Sequence, residues 1–205
     1  MMHTEESLNL TRHITDRINH HSMHHHYYVL FDIANTYPKD KTITYVEIGC
    51  YTGGSACLML QRPNTKVISI DLGYPIPQST TQDNVKKLNN YNNSYNYLEG
   101  NSQSSEMVNR LKELTNEVDI LFIDGDHSYQ GVINDFLLYE GLVKPKGYII
   151  FDDYNDSGCP GVRVAVDELV NSSINRYDII GTFPNTFKAR PETLLEGNDF
   201  IIQKK

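Results

Sequence analysis

From residue 42 onward the chain alternates short runs of β-branched and aromatic residues with stretches of helical periodicity. That alternation is the signature of stacked βαβ units, and it predicts a mostly parallel sheet. The strand candidates are residues 43–48, 66–70, 95–99, 119–123 and 148–151, each bounded by Gly, Asn or Asp. Helices are expected near 54–60, 80–90, 104–114, 129–140 and 161–171, the last introduced by Pro160 and the fourth carrying Val132, Phe136 and Leu137. They should cover both faces of the sheet. After them the order changes: 177–183 and 199–202 read as strands, while Pro184, Pro191 and Gly197 occupy the interval without a convincing helix. Two strands joined without a crossover helix run antiparallel. At 205 residues the chain has room for one well-buried α/β domain. Its first 40 or so residues are expected to form an N-terminal helical cap over the site.

The formal net charge of −8 surrounds the chain with a field that repels a polyphosphate backbone, so nucleic acid is not an expected partner. Cys50, Cys57 and Cys159 are too few, and too widely spaced, for a secreted disulfide scaffold. Neither a signal peptide nor an apolar spanning segment can be drawn. The expectation is a soluble, cytoplasmic protein without a membrane partner. His20, His21, His24, His25 and His26 could be read as metal ligands. Adjacency does not supply converging geometry, however, and a polar helix face or turn accounts for them.

The first strand runs into Val46-Glu47-Ile48-Gly49-Cys50-Tyr51-Thr52-Gly53-Gly54-Ser55. Glycines let a backbone approach a ligand closely, and the helix that follows presents free N–H groups. The run is not GxGxxG. Glu47 would repel a pyrophosphate but welcome a cationic sulfonium ligand carrying an ammonium group, which favours S-adenosylmethionine. Asp71 ends the second strand one βα unit later, where ribose hydroxyls need a bidentate acceptor. Asn101 or Ser102, after the third strand, could hydrogen-bond a base; capping the next helix is the competing role.

The fourth strand exits through Asp124-Gly125-Asp126-His127, and the fifth through Asp152-Asp153. Carboxylates gathered at neighbouring strand ends repel one another unless a cation sits among them, so a hard divalent ion such as Mg²⁺ is expected on oxygen ligands. Asp126 or His127 would then be the base that removes the acceptor proton; a helix cap and a loop-fixing hydrogen bond are the bland alternatives.

These segments resemble the class I S-adenosylmethionine-dependent methyltransferases. The Glu47–Ser55 run looks like their motif I, and the strand order is similar to their seven-stranded, doubly wound three-layer sandwich with one antiparallel strand. The resemblance implies that Glu47, Gly49, Tyr51, Thr52, Gly53, Ser55, Asp71, Asn101, Ser102 and Asp124 hold the cofactor. Asp124, Asp152 and Asp153 are similar to the metal ligands of catechol-type and of macrolide, aminocoumarin and rhamnosyl sugar O-methyltransferases. The catechol type has Asn at the third place, so Asp153 stands nearer the sugar pattern. Pro160 to Glu168 looks like the family's fifth helix. The implied activity is O-methylation of a sugar or glycan hydroxyl. A small phenol is the alternative acceptor, kept open by Tyr51, Tyr129 and Tyr154; an inactive cofactor-binding module or a nicotinamide oxidoreductase are the readings from other classes. The N-terminal part is short for the multimeric antibiotic-sugar enzymes, which leaves a homo-oligomer open.

Overall fold

The computed structural model describes residues 5–18, 27–173, 175–183 and 199–205. The histidine cluster at 20–26 lies outside them. The elements in chain order are α1 (Glu5–Thr15), α2 (Tyr28–Ala34), β1 (Ile43–Ile48), α3 (Gly54–Met59), β2 (Thr65–Asp71), α4 (Gln78–Leu88), β3 (Ser94–Glu99), α5 (Ser105–Leu114), β4 (Val118–Ile123), α6 (Tyr129–Tyr139), β5 (Val143–Phe151), α7 (Pro160–Ser173), β6 (Tyr177–Phe183) and β7 (Asp199–Lys204). The sheet has seven strands in the order β3-β2-β1-β4-β5-β7-β6. Pairings from β3 through β5 are parallel, whereas β7 runs antiparallel to both β5 and β6.

Period-two alternation sends neighbouring residues of each strand to opposite faces. Val46, Ile48, Leu121 and Ile123 pack on one side with Met107 and Leu111 of α5, Val132 and Phe136 of α6, and Ala165 and Val166 of α7. Ile43, Tyr45, Ile120 and Phe122 pack on the other with Ile33 of α2, Leu58 of α3 and Val85 of α4. β4 is buried along its whole length, as a central parallel strand must be. Its one acid, Asp119, is compensated by Lys144 at 2.6 Å and Lys41 at 3.3 Å, and accepts from the Thr44 N–H. Among the described residues no helix is long and apolar enough to cross a membrane.

β5 begins five residues before the expected 148. The run Lys144-Pro145-Lys146-Gly147 reads as a turn, yet Val143 already pairs with Val118 before the register shifts and resumes at Tyr148 opposite Ile120. Lys146 adopts φ 65° in this irregularity, which absorbs a proline within a strand. The chain moves outward from β1 through β2 to β3, then returns to place β4 on the other side of β1. In open sheets of this kind, ligands bind in the crevice outside the carboxyl ends of the strands at that reversal.

Candidate active site

The crevice is present as a cleft of about 780 Å³ across the ends of β1, β2 and β4. One wall is the loop leaving β1. Gly49 and Gly53 take φ 82° and 83°, and Tyr51 takes φ 46°. The Asp71 carboxylate fixes this loop: Oδ2 accepts from the N–H groups of Cys50 (2.9 Å) and Tyr51 (3.0 Å), and Oδ1 from that of Gly73 (2.8 Å). From α4, Thr81 donates to the Tyr51 carbonyl and Asn84 to the Thr52 carbonyl. With two lone pairs per oxygen, Asp71 keeps one acceptor direction, on Oδ1, for a ligand. That is less than the bidentate grip expected of it.

Glu47 stands behind the loop, not in the cleft. Strand alternation puts it on the face of Ile43 and Tyr45, where it is fully buried. Ser55 (2.5 Å), Ser69 (2.6 Å) and Tyr45 (3.0 Å) all donate hydroxyl hydrogen bonds to its carboxylate. Thr52, Gly53 and Ser55 are buried with it. Of the residues expected to hold a cofactor, Gly49, Tyr51, Asp71, Asn101, Ser102 and Asp124 line the cleft itself.

Burial pushes the Glu47 carboxyl up to about 7 despite the three donors that lower it. An acid whose folded pKa exceeds its unfolded value binds more protons when folded. The cost of ionising it is therefore absent below about 4.5, grows as the pH rises and is complete above about 7. Glu47→Gln removes that titration. The variant should gain stability relative to the parent between those two pH values, by up to about 3 kcal/mol. Denaturant unfolding at stepped pH measures the difference, and a difference that stays flat would dismiss this account of Glu47.

Opposite the loop, Ser102 donates to Asp135 Oδ1 at 2.7 Å, while its carbonyl accepts from Tyr139. Asn101 accepts from the Gln103 N–H, and Gln103 itself bridges Asn134 and Asp126. Asp126 Oδ1 accepts from the Ser128 N–H at the start of α6, which holds its carboxyl below the usual range.

The ends of β4 and β5 bring Asp124, Asp152 and Asp153 together, with a carboxylate oxygen of each within 4.8 Å of the others. Backbone pairing fixes the register: Asp124 N–H donates to Ile48 and Asp152 N–H to Ile123. Asp153 takes φ 57°, which turns the chain so that adjacent aspartates converge. Burial, then the Asp152 charge, raises the Asp124 carboxyl. His127 Nε2 lies 3.2 Å from Asp124 Oδ1 and 3.3 Å from Asp153 Oδ2. The hydrogen bond to Asp124 raises the imidazole to about 9, against burial. The Tyr27 hydroxyl donates to Asp124 Oδ2 at 3.0 Å.

A family described as a methyltransferase domain matches residues 46–154, which hold the glycine loop, Asp71 and all three aspartates. The chain belongs to this family. It is 40% identical over 176 residues to the uncharacterized protein R132 of Acanthamoeba polyphaga mimivirus, covering 80% of this chain and 78% of that one. Among solved structures, an O-methyltransferase from Bacillus cereus in complex with SAH aligns with a TM-score of 0.65 at 16% identity, over 98% of this chain and 92% of that one. The MycE methyltransferase of the mycinamycin biosynthetic pathway, in complex with Mg and SAH, aligns at 0.64 and 17% identity. There 98% of this chain spans 55% of the larger protein.

In this methyltransferase, several cleft residues carry no local sequence signal. Tyr27 arrives from the turn before α2, and Gln103 from the loop after β3. Leu72 and Tyr74 stand at the lip, 65% and 83% exposed. An apolar residue directly after the strand-ending Asp71 is the one signal that could have marked Leu72 as part of the cleft lip.

Proposed function

We propose that the chain, as one catalytic domain, uses S-adenosylmethionine to methylate a hydroxyl of a sugar or glycan with the help of a divalent ion. The observation that carries this reading is the meeting of three aspartates beside a glycine-walled cleft. Asp71 Oδ1 takes a ribose hydroxyl, Asn101 and Ser102 take the edge of adenine, and Leu72 covers its face. Gly49, lacking a Cβ, lets the methionine portion lie close to the loop. Asp124, Asp152 and Asp153 suit a hard ion because they offer oxygen donors alone from two rigid strand ends. Such an ion supplies Lewis acidity that lowers the pKa of an acceptor hydroxyl.

The base is His127. Asp126 is committed to Ser128 and Gln103, whereas His127 projects an imidazole nitrogen to Asp124 and Asp153, where the hydroxyl must sit. The acceptor oxygen attacks the methyl carbon and the bond to sulfur breaks; an ion on the aspartates would offset the charge that keeps the imidazole protonated, leaving His127 Nε2 free to accept the hydroxyl proton.

The phenol reading calls for an aromatic slot beside the aspartates. Tyr154, however, packs on Phe200 at 4.7 Å and donates to Asp167, and Tyr129 donates to Glu168 on α7. Only Tyr51 of the three candidates lines the cleft, which favours the sugar. The free cysteines suit a reducing, cytoplasmic setting. Methyl transfer from labelled cofactor should occur to sugar acceptors and stop in excess EDTA. Undiminished turnover with EDTA would remove the ion from the mechanism, and transfer to catechols alone would favour the phenol.

A further inference from the structure

Next to the all-oxygen trio lies a ligand set of different chemistry, in which His127 and Asp153 also serve the proposed methyl transfer and Cys159 does not. We propose that His127, Asp153 and Cys159 form a second, softer metal site that takes zinc and shares Asp153 with the aspartate trio. The three side chains each offer one ligand atom, and all three atoms lie within 4.8 Å of one another. Two edges of the triangle meet on the same oxygen: Asp153 Oδ2 is 3.3 Å from His127 Nε2 and 3.7 Å from Cys159 Sγ.

Those edges can be compared with what zinc requires. Tetrahedral zinc with bonds of about 2.0 Å to nitrogen and oxygen and about 2.3 Å to sulfur separates its ligands by roughly 3.3 Å (N to O) and roughly 3.5 Å (S to O). Both edges are thus within a few tenths of an ångström of the coordinated geometry without backbone movement. A water completes the tetrahedron, which leaves that position exchangeable.

The backbone prearranges the set. Cys159 immediately precedes α7, in a turn closed by Asp156 N–H on Asp153 O and Cys159 N–H on Asp156 O. The start of α7 lies directly on the His127 loop, since a Cβ on Gly161 would stand 2.6 Å from Tyr129 N and 3.1 Å from His127 O. The two loops that carry Cys159 and His127 are thereby held in backbone contact. Cys159 is partly exposed, unlike the buried Cys50 and Cys57, so an ion can reach it.

Chemistry divides the two sites. Magnesium takes oxygen ligands and leaves thiol and imidazole aside, whereas zinc and its neighbours prefer nitrogen and sulfur. Binding forms a zinc–thiolate bond as the S–H proton leaves to solvent, and Nε2 must be free of its proton to donate its lone pair. Because Asp153 serves both sets, zinc and the hard ion compete, and zinc takes His127 out of the cleft chemistry. The site requires neither methyl transfer nor any particular acceptor, so it can fail or stand independently of the proposed function.

Cobalt(II) is the probe, because a thiolate ligand gives it a charge-transfer band in the near ultraviolet that imidazole and carboxylate do not. The full chain loaded with one equivalent of Co²⁺ should show that band together with the strong visible absorption of four-coordination, and Zn²⁺ should bleach both. Cys159→Ser should abolish the band and weaken Zn²⁺ binding, read by calorimetry, by about 10- to 100-fold or more. The histidines at 20–26 could bind cobalt too, but without a thiolate signature. A cobalt spectrum without the band, or one that persists in Cys159→Ser, overturns the proposal. Circular dichroism of the variant, at a partly exposed and nearly isosteric position, confirms that a lost band reports the ligand.

Discussion

Gly49→Ala should abolish binding of S-adenosylhomocysteine, weakening it by at least about 100-fold, and should cost the fold several kcal/mol. Two separate causes act at this residue. Its φ of +82° is one that an L side chain adopts at a cost of about 1–2 kcal/mol. The larger cause is space. An alanine Cβ would overlap the carbonyl oxygen of Asp124, stand 2.6 Å from its carbonyl carbon and 3.0 Å from Gly125 Cα. All three obstacles are backbone, and the backbone there is tied down. Gly49 N–H donates to Ile70 O and Asp124 N–H to Ile48 O, each at 2.8 Å. Relief therefore requires β1 and β4 to separate at the cleft, which displaces the glycine loop and the aspartates together. Gly141→Ala is the matched control, because a Cβ there meets nothing within 4 Å. Calorimetric titration with S-adenosylhomocysteine and thermal unfolding of both variants measure the effect. Native affinity in Gly49→Ala would mean that the loop does not form the cofactor wall.

Much of this arrangement was readable from the chain because local pattern and tertiary role coincide. β1 and β6 fall on the expected residues, since β-branched runs end sharply at Gly49 and in the stretch after Phe183. Asp124, Asp152 and Asp153 converge because the strands they terminate are neighbours in a parallel sheet, and parallel neighbours deliver their exits to one edge. What was not readable depends on pairing across distance or on side-chain direction. Glu47 is the clearest case: its place in the sequence marks it for the loop, but only the packing of Ile43 and Tyr45 decides that its face of β1 is the dry one. Ser55 follows it inward as a donor. Thr81 and Asn84 look like surface positions of a helix until the β1 loop folds against them. Arg62, in a stretch that reads as a surface turn, is fully buried and donates to the carbonyls of Tyr37, Pro38, Lys41, Pro63 and Asn64, which clamps the end of the sheet away from the cleft. Tyr27 lies 97 residues from the aspartate it touches. No local rule brings those two together.

The aspartate trio makes the second large prediction, because function and stability there should move in opposite directions. Asp152→Ala should lower kcat/KM by roughly 100-fold or more, since removal of a metal ligand cannot cost less than the loss of an outer-shell partner. Stability should hold or improve. Asp152 is 1% exposed, and its charge lies beside Asp124 and Asp153, so in the absence of a cation each carboxylate raises the cost of ionising its neighbours. Deleting one of them relieves that repulsion. Against it stands the hydrogen bond from Asp153 N–H to Asp152 Oδ1 at 2.8 Å, which Asp152→Asn retains. The asparagine variant should therefore match alanine in lost activity while preserving the turn. Added Mg²⁺ should raise the melting temperature of the parent by binding the folded state, and should do so much less in either variant. An active Asp152→Ala enzyme, or a melting temperature that responds equally to Mg²⁺ in all three proteins, would show that these aspartates do not hold the ion. A purely structural role predicts the reverse pattern: lower stability in both variants, with activity per folded molecule intact.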